Sequence, residues 1–216
     1  MRTLLFDLHG TLIENGVYPS PLKQVRYFLR LHMQYSDFVK KFEDVMMRQA
    51  FPTLKDAFLE VAKAFDMELS EFQFEKLIGM WNKNKLLARP FPETIQALKE
   101  LRSRGYKLVI LSNCDCFTKE IVEKYQLEKY VDGIFLSCDT GMLKHEPAFF
   151  EHVLNQVKAK KEDAVMVGDS IESDMRSAEL AGIQGILIDR KDSRKYTPSI
   201  RSLHELEEKL MGLNSE

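Results

Sequence analysis

A chain of 216 residues has room for one full domain with its own core, or for one domain that carries a large insertion. With 44% apolar and 30% charged residues it sits among globular proteins, outside the disordered and membrane-spanning classes. A formal net charge of −2 gives no general attraction to nucleic acid or anionic lipid. The opening MRTLLFD meets an aspartate before any leader-like apolar region forms, so the expectation is a cytoplasmic protein with neither nucleic-acid nor membrane partners. Cys114, Cys116 and Cys138 are odd in number, and the CDC spacing suits neither a CxxC redox pair nor a zinc knuckle, so they read as reduced thiols.

In chain order, the first element is the apolar run TLLF, which stops at Asp7 and reads as a buried strand. Four amphipathic helical patterns rich in Phe and Met follow: PLKQVRYFLRLHMQ, SDFVKKFEDVMMRQ, TLKDAFLEVAKAFD and SEFQFEKLIGMWNKNK. Phe28, Tyr35, Phe38, Phe42 and Trp81 lie at helical spacing and are expected mostly as core. PETIQALKELRSRG reads as a helix with Pro92 in its first turn, Ile95, Leu98 and Leu101 on one face, and Gly105 as the stop. KLVIL before Ser112, a weaker GIFL at 133–136, AVMV before Gly168 and Asp169, and GILI before Asp189 are the further strands. Helical patterns lie between these later strands, among them IESDMRSAELAG, whose Ala178 and Ala181 allow close packing on a sheet, and SLHELEEKLMGL reads as a closing helix. The alternation predicts a doubly wound, mostly parallel α/β sheet built from residues 1–14 and 89–216, with 15–88 as a helical domain inserted after the first strand.

In an open parallel sheet, ligands bind beyond the carboxyl ends of the strands. Those ends supply Asp7, Ser112 with Asn113, Asp169 with Asp174, and Lys144 from the loop after the weak strand. Three carboxylates offer hard oxygen ligands of the kind magnesium takes, and a lysine with a serine hydroxyl can hold phosphoryl oxygens. An aspartate can attack phosphorus to form an acyl-phosphate that water then opens, if a metal offsets the repulsion between the two anions. Taken singly, Asp169 or Ser170 could be no more than a helix cap.

The residues DLHGTL at 7–12, LVILSN at 108–113, GMLKHEPAFF around Lys144, and VGDSIESD at 167–174 together resemble the four ordered motifs of the haloacid dehalogenase superfamily of phosphohydrolases. The likeness covers nearly the whole chain, and the helical insertion resembles that family's all-helical cap of the C1 type. The resemblance implies a magnesium-dependent phosphomonoester hydrolase acting on a small phosphorylated substrate, as a monomer or homodimer. It implies Asp7 as nucleophile and metal ligand, Ser112 and Lys144 as holders of the phosphoryl oxygens, Asp169 and Asp174 as further metal ligands, and Gly10, Thr11 and Asn113 as shapers of the phosphate pocket.

The departure is His9, which occupies the place where the family's phosphatases carry a second aspartate as acid and base. That position binds magnesium through its main-chain carbonyl, which any residue can supply, so His9 still counts among the implied metal ligands. An imidazole can move protons near neutrality, and metal charge close by favours its neutral form. The alternatives are a metal-independent 2-haloacid dehalogenase, which the Asp169 and Asp174 pair opposes, and a weakened binding protein on the same fold. A phosphonate-cleaving enzyme would need a Schiff-base lysine, and none of Lys40, Lys41, Lys55 or Lys63 is singled out. A phosphoacceptor switch would have its acidic pair by the first strand.

Overall fold

A computed structural model describes residues 2–212. In chain order the elements are β1 (Thr3–Phe6), β2 (Ile13–Glu14), α1 (Pro21–Phe28), α2 (Tyr35–Met46), α3 (Leu54–Ala64), α4 (Glu71–Leu87), β3 (Arg89–Pro90), α5 (Thr94–Ser103) and β4 (Lys107–Ser112). They continue as α6 (Lys119–Lys124), β5 (Gly133–Leu136), α7 (Ser137–Thr140), α8 (Pro147–Gln156), β6 (Ala164–Gly168), α9 (Arg176–Leu180), β7 (Gln184–Ile188), β8 (Ser199–Ile200) and α10 (Leu206–Gly212).

The main sheet is six-stranded in the order β5-β4-β1-β6-β7-β8, and every pairing in it is parallel. β1 therefore lies between β4 and β6, and the strand order reverses around it. The side chains alternate across the pleat as strand geometry requires. Leu4 and Phe6 join Leu108, Ile110, Val165 and Val167 on one face, packed under Leu98 and Leu101 of α5 and Leu206 and Leu210 of α10. Leu5, Val109, Leu111 and Met166 point the other way, toward Phe149, Phe150 and Val153 of α8 and Ala178 of α9. Strands buried on both faces read as unbroken apolar runs, which is why each of these was legible.

Helices α1–α4 gather around their own apolar cluster, which includes Val25, Phe38, Phe42, Met46, Phe58, Leu77 and Trp81. Phe42 and Phe58 face the Trp81 ring at centroid distances of 5.6 and 5.7 Å, so the aromatic stripe is core, as its spacing predicts. Capping boxes at Thr53 with Asp56 and at Ser70 with Gln73 start α3 and α4. At its two ends this helical segment joins an antiparallel ribbon of β2 and β3, where Ile13 pairs with Pro90 and Glu14 with Arg89.

Some boundaries differ from the sequence reading. The first helical pattern stops at Phe28 instead of running to Gln34, because Arg30 takes a left-handed φ of 52° and Leu31 N–H closes back on the Arg26 carbonyl. Pro92 stands in a turn ahead of α5, which begins at Thr94 with Glu93 as its cap. The stretch after Asp169 opens as a π-type turn over Ile171–Met175 before α9. Of the closing pattern SLHELEEKLMGL, Leu203–Glu205 forms a short 3-10 turn, α10 takes 206–212, and its final leucine falls outside the described residues. No helix among the described residues is long and apolar enough to cross a membrane.

Candidate active site

The carboxyl edges of β1, β4 and β6 lie side by side, and the polar groups that end these strands meet there. Asp7 follows β1 with its backbone N–H still in the ladder, donating to the Val167 carbonyl at 2.9 Å. Ser112 ends β4 and donates its hydroxyl to Asp7 Oδ1 at 3.0 Å. Lys144 reaches in from the loop between α7 and α8 and donates from Nζ to Asp7 Oδ1 and Asp174 Oδ1, both at 2.5 Å. It is only 2% exposed, as are few lysines anywhere, because two carboxylates compensate its charge. Burial alone would lower the ammonium's pKa; Asp174 and Asp7 reverse that and raise it.

Asp7, Asp169 and Asp174 each offer an oxygen within 4.8 Å of the others. Burial pushes Asp169 up to about 7, with Asp7 and Asp174 adding to the rise. Asp174 is raised as well, since burial outweighs the attraction of Lys144. Three carboxylates against one lysine leave an excess of two negative charges, which a divalent cation would match. Hard oxygen donors crowded in this way suit magnesium, so the residues present fit that ion. Arg194 donates to the Asp169 main-chain carbonyl and draws on its carboxylate electrostatically.

Two glycines make the crowding possible. At Gly10, with φ of +83°, a Cβ would stand 2.3 Å from Asp169 Oδ2. At Gly168 it would stand 2.3 Å from Asp174 Cγ. Ser170 caps the turn after β6 by accepting from Ser173 N–H at 3.1 Å, so the capping role weighed for this stretch belongs to Ser170 and leaves the Asp169 side chain to the cluster. Asp174 Oδ2 accepts the Ser170 N–H at 2.9 Å.

Asn113 is a connector. Its Oδ1 accepts the Lys144 backbone N–H at 2.9 Å, and its Nδ2 donates to Glu43 Oε2 at 2.9 Å. Gly10 and Thr11 lie in the tight turn after β1, where Arg190 donates to the Thr11 carbonyl at 2.8 Å and to the Gly10 carbonyl at 3.4 Å. Thr11 is fully buried, and its hydroxyl makes no hydrogen bond.

His9 lies within electrostatic reach of Asp7 and Asp115. Its Nδ1 is buried without a hydrogen-bond partner. Burial lowers the imidazole pKa, against the upward pull of Asp7 and then Asp115. Asp115 itself is raised by burial, opposed by His9 and by the Trp81 N–H, which donates to its Oδ2 at 3.2 Å. The structure thus brings Asp7, Ser112, Asn113, Lys144, Asp169 and Asp174 into one cluster and sets His9 beside it.

Glu43, Asp115 and Arg194 border this cluster and escaped the sequence reading. Glu43 carried a signal, because it shares the inward face of α2 with Phe42 and Met46, where an acid is out of place. Asp115 caps the turn after β4, accepting the Phe117 N–H at 2.9 Å, a role that does not distinguish it from any other capping aspartate. Arg194 was hidden in a charged tail.

The family model for haloacid dehalogenase-like hydrolases matches residues 1–182. A glyceraldehyde 3-phosphate phosphatase from Methanothermobacter thermautotrophicus is 32% identical over 52% of this chain, and the match spans about half of that relative's length (50%). A phosphoglycolate phosphatase from Aquifex aeolicus is 28% identical over 87% of this chain and 84% of its own. The solved structure of a HAD phosphatase from Thermococcus onnurineus superposes with a TM-score of 0.65 at 26% identity, covering 98% of this chain and 99% of that one. With the sheet order and the polar strand ends already in place, these matches make the chain a member of the haloacid dehalogenase-like hydrolases.

Proposed function

We propose that the protein is a magnesium-dependent phosphomonoester hydrolase that works through an aspartyl-phosphate on Asp7. The observation that carries this reading is the convergence of three carboxylates within 4.8 Å around a buried lysine that touches two of them. The names of the similar proteins support it, since phosphatases stand among both the curated relatives and the solved structures.

Asp7, Asp169 and Asp174 would hold the magnesium, with the His9 carbonyl as a further oxygen. The ion would supply positive charge that lets a carboxylate approach a phosphate dianion. Asp7 attacks phosphorus, its new O–P bond replacing the bond to the leaving alcohol. Ser112 and Lys144 bind the phosphoryl oxygens, and Gly10, Thr11 and Asn113 shape the surrounding pocket. Water then attacks the acyl-phosphate, releasing phosphate and restoring the Asp7 carboxylate. His9 takes the proton of that water. Segment 15–88 is the cap that covers the alcohol portion of a small phosphorylated substrate, on a core built from 1–14 and 89–216.

The test is release of p-nitrophenol from its phosphate ester, with and without magnesium, by the native chain and by Asp7→Asn. Magnesium-dependent turnover that the variant loses is the expected result. Equal turnover without metal, or an active Asp7→Asn, would sink the reading.

A further inference from the structure

The phosphatase reading leaves the alcohol portion of the substrate undefined, and one side chain of the helical insertion bears on it. Glu43 lies on α2, is 8% exposed, and turns its carboxylate away from solvent toward the strand ends. Its Oε2 accepts from Asn113, the residue that follows Ser112 and that also holds the Lys144 backbone. Lys144, Asp174 and Asp7 all act on its charge, so the carboxylate shares the electrostatic surroundings of the reacting centre. Burial pushes it up to about 7, which means that ionisation is already costly there.

Resting on the phosphatase reading, we propose that Glu43 is the specificity-determining residue of the site: it favours phosphate esters whose alcohol portion presents a hydroxyl or ammonium donor beside the phosphate, and it rejects esters that carry a carboxylate there. A buried acceptor rewards a donor and repels a second anion, and like-charge contact away from water is the more selective of the two effects. Of two basic residues of the insertion, Arg48 is paired with acids, whereas Arg26 has a carbonyl partner and a buried Nε without one. Arg48 is held by Asp44, Glu146 and the Gly141 carbonyl, and Arg26 donates to the Met33 carbonyl. Within the insertion, Glu43 is the acid whose carboxylate hydrogen-bonds directly to Asn113 at the end of β4.

The experiment compares kcat/KM at pH 8.5, above the raised pKa of Glu43, for glycerol 3-phosphate, phosphoethanolamine and 2-phosphoglycolate, with p-nitrophenyl phosphate as the control for general phosphatase activity. In the native chain the two donor-bearing esters are expected to exceed 2-phosphoglycolate by at least about tenfold, and Glu43→Gln should shrink that ratio by a similar factor, mainly by raising the 2-phosphoglycolate value. A native chain that prefers 2-phosphoglycolate, or a ratio unchanged in Glu43→Gln, overturns the proposal while leaving the phosphatase reading intact. If no ester is turned over, p-nitrophenyl phosphate included, the phosphatase reading falls. Calorimetric binding of the same three esters to the native protein with magnesium then decides the role of Glu43: weaker binding of 2-phosphoglycolate supports it, and a flat or reversed order overturns it. The native ranking also decides the matter should Glu43→Gln fail to fold.

Discussion

Gly10 and Asp169 approach so closely that no other residue fits at position 10: a Cβ there would stand 2.3 Å from Asp169 Oδ2 and 2.8 Å from Oδ1. The turn after the first strand and the end of β6 thus fix each other, although 158 residues lie between them in the chain. Gly10→Ala should displace the Asp169 carboxylate and also strain a backbone at φ +83°, at a cost of about 1–3 kcal/mol. Magnesium affinity should fall by about 10–100-fold, as for other residues that orient a metal's ligands. Calorimetry with the metal alone checks this; unchanged affinity would mean that Asp169 does not bind it.

The crowded carboxylates make stability depend on pH and metal together. Asp169 is raised from 3.8 to about 7, and Asp174 moves in the same direction. A raised acid holds its proton in the folded state where the unfolded chain has released it. The stabilisation is complete below about pH 4 and is lost as pH rises through about 7. Magnesium binds the deprotonated groups and reverses the loss. Adding it should therefore raise Tm more at pH 8 than at pH 5, and EDTA should abolish the difference. An equal rise at both pH values would place the ion elsewhere.

Trp81 links the aromatic core of the helical insertion to the sheet through its N–H on Asp115 Oδ2. Trp81→Phe keeps most of the ring contacts with Phe42 and Phe58 and removes one donor from a buried acid. A loss of about 1–3 kcal/mol in urea unfolding is expected. Adding Asp115→Asn, which takes away the buried charge, should restore part of it. Strict additivity of the two changes would show that the hydrogen bond contributes nothing.

How much of this was visible in the sequence depends on where each signal is stored. β1, β4, β6 and β7 were found because a strand buried on both faces is apolar nearly throughout, whereas the half-buried edge strand β5 gave only a weaker run. The pairs Ile13–Glu14 and Ser199–Ile200 were not, since two-residue strands exist only through their partners, Arg89–Pro90 and β7. The cluster of Asp7, Ser112, Lys144, Asp169 and Asp174 was legible because each follows a strand or its loop, and parallel topology aligns those ends. Glu43 and Arg194 were missed for a different reason. Each reaches the cluster from an element whose docking is a matter of tertiary packing, and no local pattern records which side chain of a helix or tail will face it.

His9 gives the last prediction. Burial lowers its pKa below 6.5 against the pull of Asp7 and Asp115, so at pH 7 the ring is neutral. A neutral imidazole accepts a proton from water readily but is a poor donor to a departing alkoxide. The first half-reaction should then depend on the leaving group, whereas the second should not. Nitrophenolate leaves without help; the alkoxide of glycerol 3-phosphate needs a proton. His9→Asp places a carboxyl group there, and in the first half-reaction it can donate. At pH 7 the variant should raise kcat/KM for glycerol 3-phosphate by about 10²–10⁴-fold, the usual worth of a positioned acid, with far less change for p-nitrophenyl phosphate. Equal changes for the two esters would remove His9 from leaving-group protonation and leave it, at most, as the base toward water.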